Sequence, residues 1–158
     1  MQRISKHISY QEAIKSNTAS KLGIANSPNK EQLANMILLA ENVFEPIREH
    51  FKVPIYISSF FRSEKLNNAL KGAKDSQHLC NNGAAIDVDA DIFGSITNKD
   101  IFDYVFNNLT FDQLIWEFGT ETNPDWVHIS YNADNNRGEV WVAYKDQNNR
   151  TKYKLYNT

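Results

Sequence analysis

The clearest pattern in the chain covers residues 30–50, where Leu33, Met36, Ile37, Ala40, Val43, Phe44 and Ile47 recur at three- and four-residue steps. Such a stripe predicts an amphipathic helix with one buried face. Asn29 precedes it as an N-cap, with Gln32 as capping-box partner, and Pro46 stands where it would end or kink the helix. Residues 53–58 (VPIYIS) are rich in β-branched and aromatic side chains and predict a strand. Ser63 then caps a short helix through Leu70, broken at Gly72. Ala84–Asp89 alternates, with Ala85, Asp87 and Asp89 on one face and Ile86 and Val88 on the other. Thr97 with Asp100 opens another helix, ending near Asn107 and Asn108. Residues 112–118, 126–131, 139–145 and 151–156 predict four more strands, the last two joined by a turn at 146–149. Helices come first and antiparallel-looking strands last, so the expected class is α+β.

Composition narrows the function classes. A length of 158 residues fits one domain, 1–158, without repeat or linker. A net charge of −2 is the wrong balance for a protein living on nucleic-acid phosphates. The single cysteine excludes an internal disulfide and a multi-cysteine zinc finger. No apolar stretch is long enough to span a membrane. The opening MQRISKHISYQEAIK has no apolar core of a signal peptide, so the expectation is cytoplasmic synthesis.

Three segments place polar residues where packing would favour apolar ones. In the first, Ser76 and His78 lead through Gly83 to Asp87, and carboxylates buried on a strand must be paired or bound to a cation. The second is 125–130, where Trp126, His128 and Ser130 share a strand face. The third is Arg62, directly after the strand at 53–58 and its serines. His78, Asp87 and His128 together are a donor set zinc accepts, with one position left for water. Their spacing equally allows two partly buried histidines held by hydrogen bonds. Cys80 reads as a bystander, His7 as part of a solvated terminus, and His50 as a helix-end residue complementing the dipole. Most of the aromatic residues are expected in the core.

These segments resemble the zinc D-alanyl-D-alanine carboxypeptidase and L-alanyl-D-glutamate endopeptidase family of the Hedgehog/DD-peptidase superfamily, in particular its phage and prophage peptidase M15-like branch. The resemblance lies in Arg62 after a strand, the Ser76-x-His78 and Gly83-x-Ala85-x-Asp87 halves, and Asp125 three residues before His128. Stretches 33–51, 67–79 and 111–117 are similar to the same branch, and the likeness covers about residues 7–131, leaving the terminal hairpin outside. It implies helices packed on a small, mainly antiparallel sheet carrying a zinc site. His78, Asp87 and His128 would be the ligands, Asp125 the base, Arg62 a catalytic residue that stabilises the developing anion and also binds substrate, and Ser76 a further substrate-binding residue. Glu117 is the rival base and Asp89 the rival ligand. Two departures stand out: residues 80–82 lengthen the segment between His78 and Asp87 by two, and Phe60 occupies a position often held by glycine. The insertion is expected to bulge from the surface, away from the metal. The implied activity is zinc-dependent hydrolysis of the peptidoglycan stem peptide by a monomer, acting on the wall after phage-mediated release or carried in a virion. The alternatives are a virion structural or binding protein that keeps the fold without turnover and, more remotely, a metal-free signalling domain.

Overall fold

The structure, a computed structural model, describes residues 2–157. Two short helices, α1 (Tyr10–Ala13) and α2 (Asn17–Leu22), precede α3 (Lys30–Leu39), which continues through a π-helical stretch at Ala40–Phe44 into α4 (Glu45–Phe51). The strands are β1 (Tyr56–Ser59), β2 (Ala84–Asp89), β3 (Gln113–Glu117), β4 (Trp126–Tyr131), β5 (Glu139–Lys145) and β6 (Thr151–Leu155). Helices α5 (Glu64–Ala69) and α6 (Asn98–Asn108) lie between the early strands. The protein is therefore α+β, as its pattern predicts.

Asn29 and Gln32 form the expected reciprocal capping box at α3. Pro46 does not end the helix. Its missing N–H and its ring conflict with the carbonyl one turn back, and the backbone widens to a π turn just ahead of it, so the apolar stripe continues. Met36, Leu39, Val43, Phe44 and Ile47 all reach the core, and helix α6 adds Ile101, Phe102 and Val105. His7 is not free in solvent: Glu45 accepts from its backbone N–H, from its ring and from the Ser5 hydroxyl, which ties the N-terminal segment to α4. His50 stacks on Tyr104 with ring centroids 4.2 Å apart.

The sheet runs β1-β2-β4-β3-β5-β6. All pairs are antiparallel except β3 with β5, because the chain leaves β4 and crosses to the far side of β3. One face presents Ile86, Val88, Leu114, Trp116, Val127 and Ile129, all buried in the hydrophobic core. The other face is organised in cross-strand rows. Asp87 lies opposite His128, His128 opposite Ile115, and Ile115 opposite Trp141. In the neighbouring row Trp126, Glu117, Ala143 and Tyr153 follow one another across β4, β3, β5 and β6. The Asp87 face of β2 is buried rather than poorly covered: Ala85 and Asp87 are both enclosed, and only Asp89 is partly exposed.

Two polar anchors hold the ends of this sheet. Asn98 is fully buried; its side-chain oxygen accepts from Ala90 N–H, and its amide group faces Asp89, Asp91 and the carbonyls of Pro124 and Asp125. It thereby links the end of β2, the start of α6 and the entry to β4. Gly83, at φ +86°, starts β2 against β4, where a Cβ would come within 2.5 Å of the Tyr131 carbonyl oxygen. Asn98→Ala leaves several of these buried groups unpaired, and we expect it to cost about 2–3 kcal/mol. The midpoint of urea unfolding measures this.

Candidate metal centre

Each member of the cluster is delivered by local structure. Ser76 caps a single 3₁₀ turn, Gln77–Leu79, its hydroxyl accepting from His78 N–H, and the turn sets His78 over β2. The carbonyl of His78 accepts from Arg62 N–H at 2.9 Å, so the two segments are locked together. Asp87 and His128 are direct cross-strand partners on β2 and β4, which brings their side chains together on one face. All three candidate ligands are buried, and their ligand atoms lie within 4.8 Å of one another.

The His78 ring is oriented by the Phe60 carbonyl, which can only accept; the ring Nδ1, 2.7 Å away, therefore carries the proton. Nε2 then faces Asp87 Oδ2 at 3.2 Å, while His128 Nδ1 lies 2.8 Å from Asp87 Oδ1. A second proton on His78 would make it an imidazolium, and burial holds this ring below its ordinary pKa. Without that proton, a nitrogen lone pair points at a carboxylate oxygen. A divalent cation held by these groups would take up the His78 lone pair and the Asp87 charge, and two imidazoles with one carboxylate form a three-ligand zinc set. The residues fit such an ion. The second ring contact matches what a metal ligand needs: a hydrogen bond from the remote nitrogen of His78 that holds the ring in register.

Charge around the cluster is arranged to keep Asp87 ionised. Burial acts to raise its carboxyl, but the facing imidazoles of His78 and His128 outweigh that and hold it well below the usual range. Arg62 adds a guanidinium nitrogen 3.6 Å from Asp87 Oδ2 and donates through Nε to Ser59. It borders a groove of about 250 Å³ whose walls include Lys15, Ser58 and Ser59.

Glu117 and Asp125 occupy different places. Glu117 shares the face of His128, diagonally across the β3–β4 pair, and is buried, its carboxyl group making no hydrogen bond among the described residues. Burial pushes its carboxyl up to about 7; the nearby Asp87 charge works in the same direction, and His128 and Arg62 oppose it. Asp125 is exposed, and its carboxylate makes no hydrogen bond or ion pair among the described residues. It borders a separate cleft of about 870 Å³ with Lys99, Trp116 and Tyr156, which contains none of the three ligands. The physical reason is register: Asp125 precedes the β4 residue that pairs with Glu117, so strand alternation turns it from the His128 face.

The structure also fixes the surroundings of Asp89, Ser76 and Cys80. Asp89 does not approach the cluster, because its carboxylate accepts from Asn98 and from Asp91 N–H. Ser76 uses its hydroxyl as a cap that positions His78. Cys80 is no part of a surface bulge: its side chain is completely buried, and burial pushes the thiol up to about 12. Only Asn81 and Asn82 reach the surface, where Gln32 and Asn35 hold Asn81. A supporting group escapes the sequence pattern altogether. Buried Asp112 accepts two hydrogen bonds from the Arg137 guanidinium and one from Gln77, the neighbour of His78. An aspartate at the start of a buried strand is the one local sign of it.

A family model described as Peptidase M15 matches residues 6–130, most of the chain. No curated protein matches the chain.

Two outcomes follow. Wild-type protein should hold about one zinc per chain after mild dialysis, and His78→Ala or His128→Ala should lose it, as read by elemental analysis. In metal-free protein, Glu117 binds its proton more tightly folded than unfolded, so its burial costs nothing below about pH 4.5. The cost then grows until pH 7 and stays constant above. Glu117→Gln should therefore gain stability over wild type between pH 5 and 8, by on the order of 3 kcal/mol in denaturant titrations.

Proposed function

The chain belongs to the peptidase M15 family, and from that premise we propose that it hydrolyses peptide bonds of the bacterial peptidoglycan stem peptide, with zinc held by His78, Asp87 and His128. The observation that carries this reading is the buried convergence of two imidazoles and one carboxylate whose lone pairs demand a cation. Zinc held by three protein ligands supplies a water of lowered pKa and polarises a carbonyl.

The chain's own residues then divide the remaining work. Glu117, raised to about 7 and facing the same side as His128, is poised to take a proton at neutral pH and return it to the leaving amine. We assign it the role of base in place of Asp125. Arg62 presents a planar fork to a substrate carboxylate or to the oxygen that gains charge, in a geometry lysine cannot copy. Stem peptides carry free carboxylates, and the groove beside Arg62 is walled by hydroxyl-bearing residues and Lys15. Action on the wall after phage-mediated release, or from within a virion, is part of the same proposal. It draws on the likeness of 67–79 and 111–117 to the phage and prophage branch.

Purified peptidoglycan digested with zinc-loaded protein should release new amino and carboxyl ends, identified by mass spectrometry. Glu117→Gln should keep zinc and fold while losing about 10²-fold or more in rate, and Asp125→Ala should stay near wild type. The reverse result would exchange the two roles, and an inert wild type on walls of several chemotypes would remove the enzymatic reading in favour of a structural one.

A further inference from the structure

The terminal hairpin lies beyond the matched residues, yet its last strand turns Thr151, Tyr153 and Leu155 toward the metal-bearing face. The row Trp126, Glu117, Ala143, Tyr153 places Tyr153 on the same face as Glu117, with only Ala143 between them. Adjacent strands lie about 4.8 Å apart, so the two backbones are separated by about 10 Å, and the tyrosine side chain spans more than half of that. Alanine is the one residue in that row too short to fill the space between its neighbours.

Other hairpin residues do not compete for the position. Lys152 and Lys154 fall on the opposite face, Lys154 lying over the Tyr144 ring. Leu155, in the row of His128, offers no donor, and Thr151 accepts from Lys145. Tyr153 is 55% exposed, so its ring edge is open to an incoming molecule. Its hydroxyl makes no hydrogen bond among the described residues. The phenol nevertheless feels the site: burial raises it, and the carboxylates of Glu117 and Asp87 raise it further, keeping it a neutral donor.

We propose that Tyr153 forms the far wall of the metal-bearing face and donates a hydrogen bond from its hydroxyl to a backbone carbonyl of the bound peptide, beside Glu117. This rests on the peptidase reading for the identity of the ligand, and on the row of residues alone for the placement of the phenol. The hairpin then serves as a substrate-binding edge, and its contribution is to hold the peptide rather than to move protons.

Tyr153→Phe removes one oxygen and keeps the ring. With zinc-loaded protein and isolated stem-peptide fragments, KM should rise about three- to tenfold, the effect of one neutral hydrogen bond. Turnover at saturation, zinc content and melting temperature should stay at wild-type values, and a wild-type KM in the variant overturns the proposal. A second measurement needs no turnover: in protein labelled with ¹³C-tyrosine, the Tyr153 phenol should titrate at lower pH in Glu117→Gln than in wild type. An unmoved midpoint overturns the placement. A wild-type protein inert on every wall fragment would instead overturn the peptidase reading and the ligand named here, while the titration still decides where the phenol points.

Discussion

Asp87 is the constraint around which the rest of this structure is arranged. A carboxylate enclosed on a central strand has lost its water and must be compensated at short range. Three groups from three separate parts of the chain do so: His128 from the neighbouring strand, His78 from a capped turn, and Arg62 from the end of β1. Because the two imidazoles bring lone pairs as well as protons, the cluster is more than an ion-pair network. It is a donor set that could hold a metal ion.

That demand explains features that look unrelated at first. The Phe60 carbonyl fixes one imidazole, and the Arg62 N–H fixes the turn that carries it. One residue before His78, Gln77 is pinned through Asp112 to Arg137, in the loop that crosses from β4 to β5. At the other end of the sheet, Asn98 gathers the acidic residues after β2, which keeps Asp89 and Asp91 engaged elsewhere. A candidate metal centre that takes one of its three groups from a turn depends on such supports to keep that group in register with the two on the strands.

The same burial that encloses the candidate metal cluster also raises a carboxyl beside it. Glu117 sits one diagonal step from His128 in a dry environment and near another carboxylate, so its proton is held to about neutral pH. Asp125, a short way along the chain, is exposed and faces the opposite side of the strand pair. Two carboxylates close in sequence thus differ in chemistry because of which side of one strand pair they face.

Much of this was legible in the linear chain. The stripe of α3 to α4, the Asn29 and Thr97 caps, the alternation of Ala84–Asp89 and the terminal hairpin are local patterns, and local sterics and hydrogen bonding are enough to determine them. The trio His78, Asp87 and His128 was also visible, through residue types that pack poorly wherever a strand is buried. What the sequence left open depends on register and covering, which are relations between distant segments. The parallel pairing of β5 with β3 carries Tyr153 to the row of Glu117, and the pairing of β3 with β4 turns Glu117 inward and Asp125 outward. The helix survives Pro46 because a π turn absorbs the conflict, and within the insertion Cys80 turns into the core while Asn81 and Asn82 stay at the surface. A one-residue slip of any strand would reverse which side chains face the metal. Residue type and the family resemblance therefore pointed to His78, Asp87 and His128, and only the tertiary pairing of strands placed Glu117 beside them and Tyr153 across from it.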